Sequence, residues 1–366
     1  MKFVQRNLPL RPMATGIGSL PHHNIDAALA FAFQTSLPFL PQIPLCNPWE
    51  YMIAQALEGL PGLKVEKDGL VLLDLDYWTS RSFALNEKLE KAFSETAKHE
   101  AFEGFEPSTA NSSGWQPFVW ELEERGSRLA KVQLAGPLTS QWVLKLQDGT
   151  NLSRYPEVTS QIYRLVLARA LAMSRRLQKA GVQPLLYLDE PGLYAYSAAE
   201  PRHVLALQEL KLLIQTLRKE GVLVGLHCCS DTDWKAVLGL GLDVLSLDTG
   251  LSLSSILEHD ADLENFIQRG GRLSLGIVPT SRISGQELQS LEARDLFLNL
   301  LETFDLKLKD RPQLVRKILT QAIYTPACGL ALHSVSDAEV ILDLLNQFES
   351  YCTRALFGQS ESLTLH

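Results

Sequence analysis

In the stretch "VGLHCCSDTDW", residues 224 to 234, an apolar run ends in a histidine and two cysteines. His227 and Cys229 are one residue apart, so on an extended strand they share a face while Cys228 points away. Asp248 closes a second apolar run, "DVLSLD", and Cys328 follows a third, "AIYTPA". One imidazole, two thiols and one carboxylate are the ligand types that zinc takes in a tetrahedral site. The same residues also suit a buried histidine beside inert core cysteines. The chemistry that a metal would serve here is thiol activation. A free thiol, with a pKa of about 8.5, is mostly protonated at neutral pH, and zinc binding leaves it as a nucleophilic thiolate. Hydrolytic zinc sites use histidine-rich sets, so two cysteines favour alkyl transfer to sulfur over water activation.

A second candidate is "LLYLDEPGLY", where Asp189 and Glu190 end an apolar run that Pro191 stops. Adjacent residues on a strand point to opposite sides, so one carboxylate faces a pocket and the other its wall. The pair carries the catalytic assignment, with binding of an amino group as one role and a salt-bridged strand terminus as the alternative. "TGIGSLPHH" offers glycines that let a ligand approach the backbone, followed by the Ser19 hydroxyl. It lacks a P-loop lysine and the dinucleotide-binding spacing.

These residues must be positioned by the elements that carry them. Short apolar runs closed by turn residues alternate with longer amphipathic stretches, the pattern of parallel strands joined by helices. Eight runs are read as strands: 13–18, 37–43, 131–136, 184–189, 222–227, 243–248, 272–278 and 322–327. Residues 157–181 have helical periodicity and end in a glycine. The expected fold is a (β/α)8 TIM barrel formed by the whole chain, 1–366, as a single domain. An insertion of a hairpin and a helical excursion, about 60–125, separates the second and third strands. In such barrels the active site lies at the C-terminal ends of the strands, where all the residues singled out above fall.

Composition narrows the function classes. The 366 residues are 46% hydrophobic and carry 34 basic against 42 acidic side chains, a net charge of -8 with no basic block. Nucleic acid is therefore not an expected partner. The N-terminal stretch lacks a signal-peptide apolar core, and no segment offers ~18 uninterrupted apolar residues. A soluble, cytoplasmic protein without a membrane partner is expected. Five cysteines form an odd set in a long chain, which argues for free or metal-bound thiols over a disulfide framework.

The motifs "GIGSLP", "LAGPLT", "YLDEPGL", "LHCC", "DVLSLD" and "TPACGL" occur here in the order and approximate spacing of the catalytic barrel of cobalamin-independent methionine synthase. The chain resembles a short, single-barrel member of that family from about Thr15 to about Leu332, within the wider superfamily that includes uroporphyrinogen decarboxylase. The resemblance implies zinc held by His227, Cys229, Asp248 and Cys328. It implies homocysteine held by Ile17, Gly18, Ser19 and Asp189, with Glu50 of "CNPWEYM" as a further contact. Two positions depart from the family. Asp248 stands where the family has glutamate, so its carboxylate is one methylene shorter. Thr280 and Ser281 stand where the family has a catalytic histidine, with His333, His22 and His23 as substitutes to consider. Loss of that acid favours a methylcorrinoid donor, free or on a protein, over methyltetrahydrofolate. The activity implied is methyl transfer to a small-molecule thiol, homocysteine by default. A repurposed small-molecule-binding barrel and a decarboxylase-like lyase are the alternatives, the latter poorly served by Arg11, which precedes the first strand.

Overall fold

The computed structural model describes residues 8–96, 98, 100–280 and 285–358. Ten strands occur among them: β1 (Met13–Ala14), β2 (Leu63–Val65), β3 (Val71–Leu73), β4 (Leu129–Ala135), β5 (Lys145–Leu146), β6 (Gln183–Asp189), β7 (Leu223–Cys228), β8 (Val244–Asp248), β9 (Arg272–Val278) and β10 (Ile323–Pro326). Seven of these form one curled, all-parallel sheet in the order β1-β10-β9-β8-β7-β6-β4. Helices join consecutive strands, as parallel pairing requires. They include α1 (Ile25–Ala32), α2 (Met52–Ala56), α3 (Leu75–Ser94), α4 (Trp115–Glu124), α5 (Pro137–Val143), α6 (Pro156–Lys179), α7 (Pro201–Lys219), α8 (Trp234–Leu238) and α9 (Thr249–Leu257).

The closed, eight-stranded barrel expected from the sequence is corrected to this curled seven-stranded sheet. The run 37–43 forms no ladder strand and contributes only isolated parallel bridges, Phe39 with Lys131 and Ser19 with Gln42. Its sequence, "LPFLPQI", explains why: Pro38 and Pro41 have no N–H, so a continuous ladder cannot form. The backbone bonds that do form reach both neighbours. Leu37 N–H donates to Ala14 and Gln42 N–H to Gly18 on one side, while Leu40 N–H donates to Lys131 on the other. The expected first strand is likewise paired regularly only over Met13–Ala14.

Inside the curl, an apolar cluster takes Met13, Leu185, Tyr187, Leu223, Val244 and Ile323 from the strands, Leu37 from the run 37–43 and Leu8 from the segment before β1. Buried Arg272 covers this end by donating to the carbonyls of Leu8 and Pro9 at 2.6 and 2.5 Å. The sheet interior is thus filled at its N-terminal end and left polar toward the C-terminal end. The expected insertion is an antiparallel β2–β3 hairpin, joined in parallel by β5, followed by α3 and α4. Arg169 of α6 holds the segment leading into it and Phe105 within it, donating to the carbonyls of Phe105, Gln55, Ala56 and Glu58 at 3.3, 3.1, 2.6 and 2.8 Å. No helix among the described residues is long and apolar enough to cross a membrane.

Candidate functional site

At the C-terminal end of the sheet, Asp189 of β6 and His227 of β7 are partners in register. His227 is buried, and its Nδ1 pairs with Ser246 Oγ of β8 at 2.9 Å. That bond fixes the ring and leaves Nε2, which has no hydrogen-bond partner, free to face the site. Cys229 lies one residue past β7, and Cys328 two residues past β10. The Cys229 and Cys328 thiols interact so that the pKa of Cys229 is pushed up and that of Cys328 drawn down, and the neighbouring His227 imidazole lowers Cys328 further. His227, Cys229 and Cys328, from two strands that are not neighbours, thus lie at the same end of the sheet and influence one another electrostatically. Cys228 is excluded from the group. It packs in the core behind the strand, its pKa is pushed up to about 11 by burial, and its thiol donates to the Ser230 carbonyl at 3.2 Å.

Asp248 ends β8, and its Oδ1 accepts from Gly250 N–H at 2.8 Å as the N-cap of α9. Burial raises its pKa, with nearby Cys328 adding to the rise and His227 opposing it. The carboxylate thus interacts with Cys328 and His227 but is engaged by a helix. Among the described residues, no three His, Cys, Asp or Glu side chains form a ready-made group for a metal ion. The donor set nevertheless suits zinc in kind: a buried imidazole nitrogen without a partner and the free thiols of Cys229 and Cys328.

The adjacent carboxylates divide as strand geometry dictates. Asp189 turns inward, and its Oδ1 is buried without a partner. Burial raises its pKa, while His227 and Lys131 pull it back down. Glu190 turns into the wall, fully buried, and accepts from Leu138 N–H at 3.1 Å and Thr139 N–H at 2.6 Å at the start of α5. These bonds favour the carboxylate, but desolvation is larger and the pKa is pushed up to about 7. Gly136 permits the arrangement, because a Cβ there would collide with the Glu190 carboxylate. Glu190 is accordingly placed as a clasp between "LDEPG" and "AGPLT", and Gly192 N–H donating to Thr139 Oγ1 at 3.0 Å completes it.

The segment Ile17–Ser19 lies beside the C-terminal loop. Leu330 N–H donates to the Ser19 carbonyl at 2.8 Å, and a Cβ on Gly329 would collide with Ser19 Oγ. Ser19 thereby packs against Gly329, the residue after Cys328. Glu50 is buried and supports the loop after 37–43. Its Oε2 accepts from Ile43 N–H at 2.8 Å, and its Oε1 accepts from Ser113 N–H and Oγ at 2.9 and 2.6 Å. Of the three substitute histidines, His22 is buried against Phe31, with its pKa lowered by desolvation, and His23 is exposed. His333 is half-buried, and its Nε2 pairs with the Thr280 carbonyl at 3.0 Å. This places an imidazole just past the end of β9, although on a loop that follows β10. Ser281 lies outside the described residues.

Sequence reasoning missed the polar side chains beneath this layer. Lys131 and Gln133 of β4 are both buried, and Gln133 Nε2 donates to the Leu40 carbonyl at 2.8 Å and to Gln42 Oε1 at 3.2 Å. Gln42 donates in turn to Gln55 Oε1 at 2.7 Å. The signal was present in "AKVQLAG", where polar residues take alternate positions of a strand that is otherwise apolar.

No family model matches the chain, and no curated protein matches it. Among solved structures it is similar to a methyltransferase from Methanosarcina mazei, with a TM-score of 0.39 and 14% identity over 66% of this chain and 67% of the other.

Proposed function

We propose that this chain is a zinc-dependent methyltransferase that moves a methyl group to a thiol, homocysteine by default, from a methylcorrinoid or methyltetrahydrofolate. What supports the reading is that His227, Cys229 and Cys328 lie at one end of the sheet and influence one another electrostatically, with Asp189 in register beside His227. His227, Cys229 and Cys328 would hold the metal, with Asp248 as fourth ligand once it releases the Gly250 amide. Bound there, zinc supplies the acidity that keeps the acceptor sulfur a thiolate at neutral pH. Ser246 orients the imidazole, Asp189 receives the acceptor's ammonium, and the Ile17–Ser19 backbone lines the neighbouring wall. Glu190 keeps the Asp189 strand end in place through α5.

In the transfer, the sulfur lone pair forms the new S–CH3 bond as the donor–CH3 bond breaks, and the donor keeps the bonding pair. A corrinoid leaves as Co(I) and takes no proton, whereas the folate nitrogen leaves with one. His333 is the imidazole available to supply that proton, which makes the donor question testable in the same assay. Zinc-loaded protein is incubated with homocysteine and either methylcobalamin or methyltetrahydrofolate, and methionine is measured by mass spectrometry. Metal content is read in parallel by elemental analysis for wild type and Cys328→Ser. We expect methionine from at least one donor and a clear fall in bound zinc for the variant. Unchanged zinc in Cys328→Ser would remove the ligand assignment. A second reading, a small-molecule-binding protein without transfer chemistry, is favoured by the helix-capping role of Asp248; it predicts homocysteine binding with no methionine from either donor.

A further inference from the structure

Lys131 projects from β4 into the interior of the curled sheet and is 1% exposed. A buried ammonium is costly unless its charge and its donors are met. Its donors are met in part: Nζ bonds the Ile17 carbonyl at 2.6 Å and Gln133 Oε1 at 3.1 Å, and it lies 4.8 Å from the centre of the Tyr187 ring. All these partners are neutral, so they hold the ammonium in position without cancelling its charge. Among the described residues no carboxylate pairs with it directly. The anion that interacts with it is Asp189, two residues beyond Tyr187 on the same face of β6, whose Oδ1 has no hydrogen-bond partner. A buried cation thus lies below a buried, unpartnered anion, and the same cation grips the backbone of the Ile17–Ser19 segment.

We propose that Lys131 is a positioning residue of the acceptor site, acting through Asp189. Its charge, fixed by Ile17, Gln133 and Tyr187, is what holds the inward carboxylate ready for the ammonium of an α-amino thiol. This rests on the acceptor reading given above and names its chemical class, a thiol that carries an amino group. The lysine itself touches neither acceptor nor metal.

The test is homocysteine binding by calorimetry to zinc-loaded wild type, Lys131→Met, Lys131→Gln, Asp189→Asn and the Lys131→Met/Asp189→Asn double variant. Removing a charge that supports a charge-assisted contact should weaken binding about tenfold or more. Lys131→Gln, which keeps a donor for the Ile17 carbonyl but no charge, should lose affinity as Lys131→Met does. It also stands in if the methionine variant fails to fold. The double variant should bind within about twofold of the weaker single variant, since residues acting in one chain are not additive. A folded Lys131→Gln that binds like wild type overturns the proposal. So do losses that multiply in the double variant, because a merely structural lysine would act independently of Asp189. Wild type that binds no homocysteine overturns both this inference and the acceptor reading. Binding that depends on Lys131 without methionine formation supports the inference and overturns only the transferase reading.

Discussion

Glu190 accepts two backbone amides and still has its pKa pushed up to about 7, from an ordinary value of 4.5, because burial outweighs the hydrogen bonds. The folded state therefore keeps a proton that the unfolded chain releases near pH 4.5. Stability falls as pH rises between those values, by on the order of 3 kcal/mol for a group buried this completely, and is flat above. Glu190→Gln cannot ionise, so it should lose less stability than wild type between pH 4.5 and 7. Urea unfolding at both pH values, in chelator, measures the slope, and identical slopes would show that Glu190 ionises as freely in the fold as outside it. The sequence already distinguished the two carboxylates, since strand alternation sends neighbours to opposite sides. It did not say which one faced inward, because that depends on Gly136 and the start of α5, more than 50 residues upstream. The pairing of His227 with Ser246 was hidden for the same reason: it is a contact between strands, invisible until they are in register.

Arg169 is the clearest case of one side chain deciding where an element sits. It is 3% exposed, donates to four carbonyls and approaches the Glu58 carboxylate at 3.6 Å. Burial pulls its pKa down to about 10 against the opposing pull of Glu58. Arg169→Met would take a donor from four carbonyls and leave the Glu58 carboxylate without its ion-pair partner, at a cost of about 3 kcal/mol or more. Gln161 ties α3 to α6 separately, through Trp78, Ser82 and Asn86, so in the variant trypsin should cut first at Lys64 or Lys67, just after the Gln55–Glu58 segment that Arg169 holds. A cleavage pattern like that of wild type would mean that this segment is held elsewhere. The main strands were legible because they are continuous apolar runs closed by turn residues, and β4, β6, β7, β8, β9 and β10 fall within two residues of the expected positions. The run 37–43 misled because apolar content does not reveal which N–H groups are missing. Its prolines were legible in "LPFLPQI", and they weigh more than its hydrophobicity. The insertion was legible as an excess of chain between two strands, but Arg169, lying in a helix counted as ordinary, gave no sign that it holds the segment leading into it.

At the scale of the whole molecule, the proposed metal would tie together parts of the chain that the sheet holds only through its ladders. His227 and Cys229 leave β7, Cys328 leaves β10, and β8 and β9 lie between them in the sheet order. Leu330 then bonds back to Ser19, which links the same loop to the other end of the chain. An ion bound across these strand ends binds the folded state and not the dispersed ligands of the unfolded one, so its binding energy adds to folding. At a free zinc concentration of about 100 times Kd, this amounts to about 2.7 kcal/mol. With an unfolding entropy of about 2.1 cal/mol/K per residue, a chain of 366 residues should gain roughly 3 to 4 °C in Tm. Scanning calorimetry with chelator and then with zinc should therefore show the shift in wild type and in Arg169→Met, whose ligands are intact although its baseline is lower. Cys328→Ser should show little of it, because the serine hydroxyl is a poor zinc ligand in place of a thiolate. If zinc raises the Tm of Cys328→Ser as much as that of wild type, the ion is binding elsewhere. The group at the sheet end would then be two free thiols beside an imidazole, and the case for thiol activation by zinc would fall.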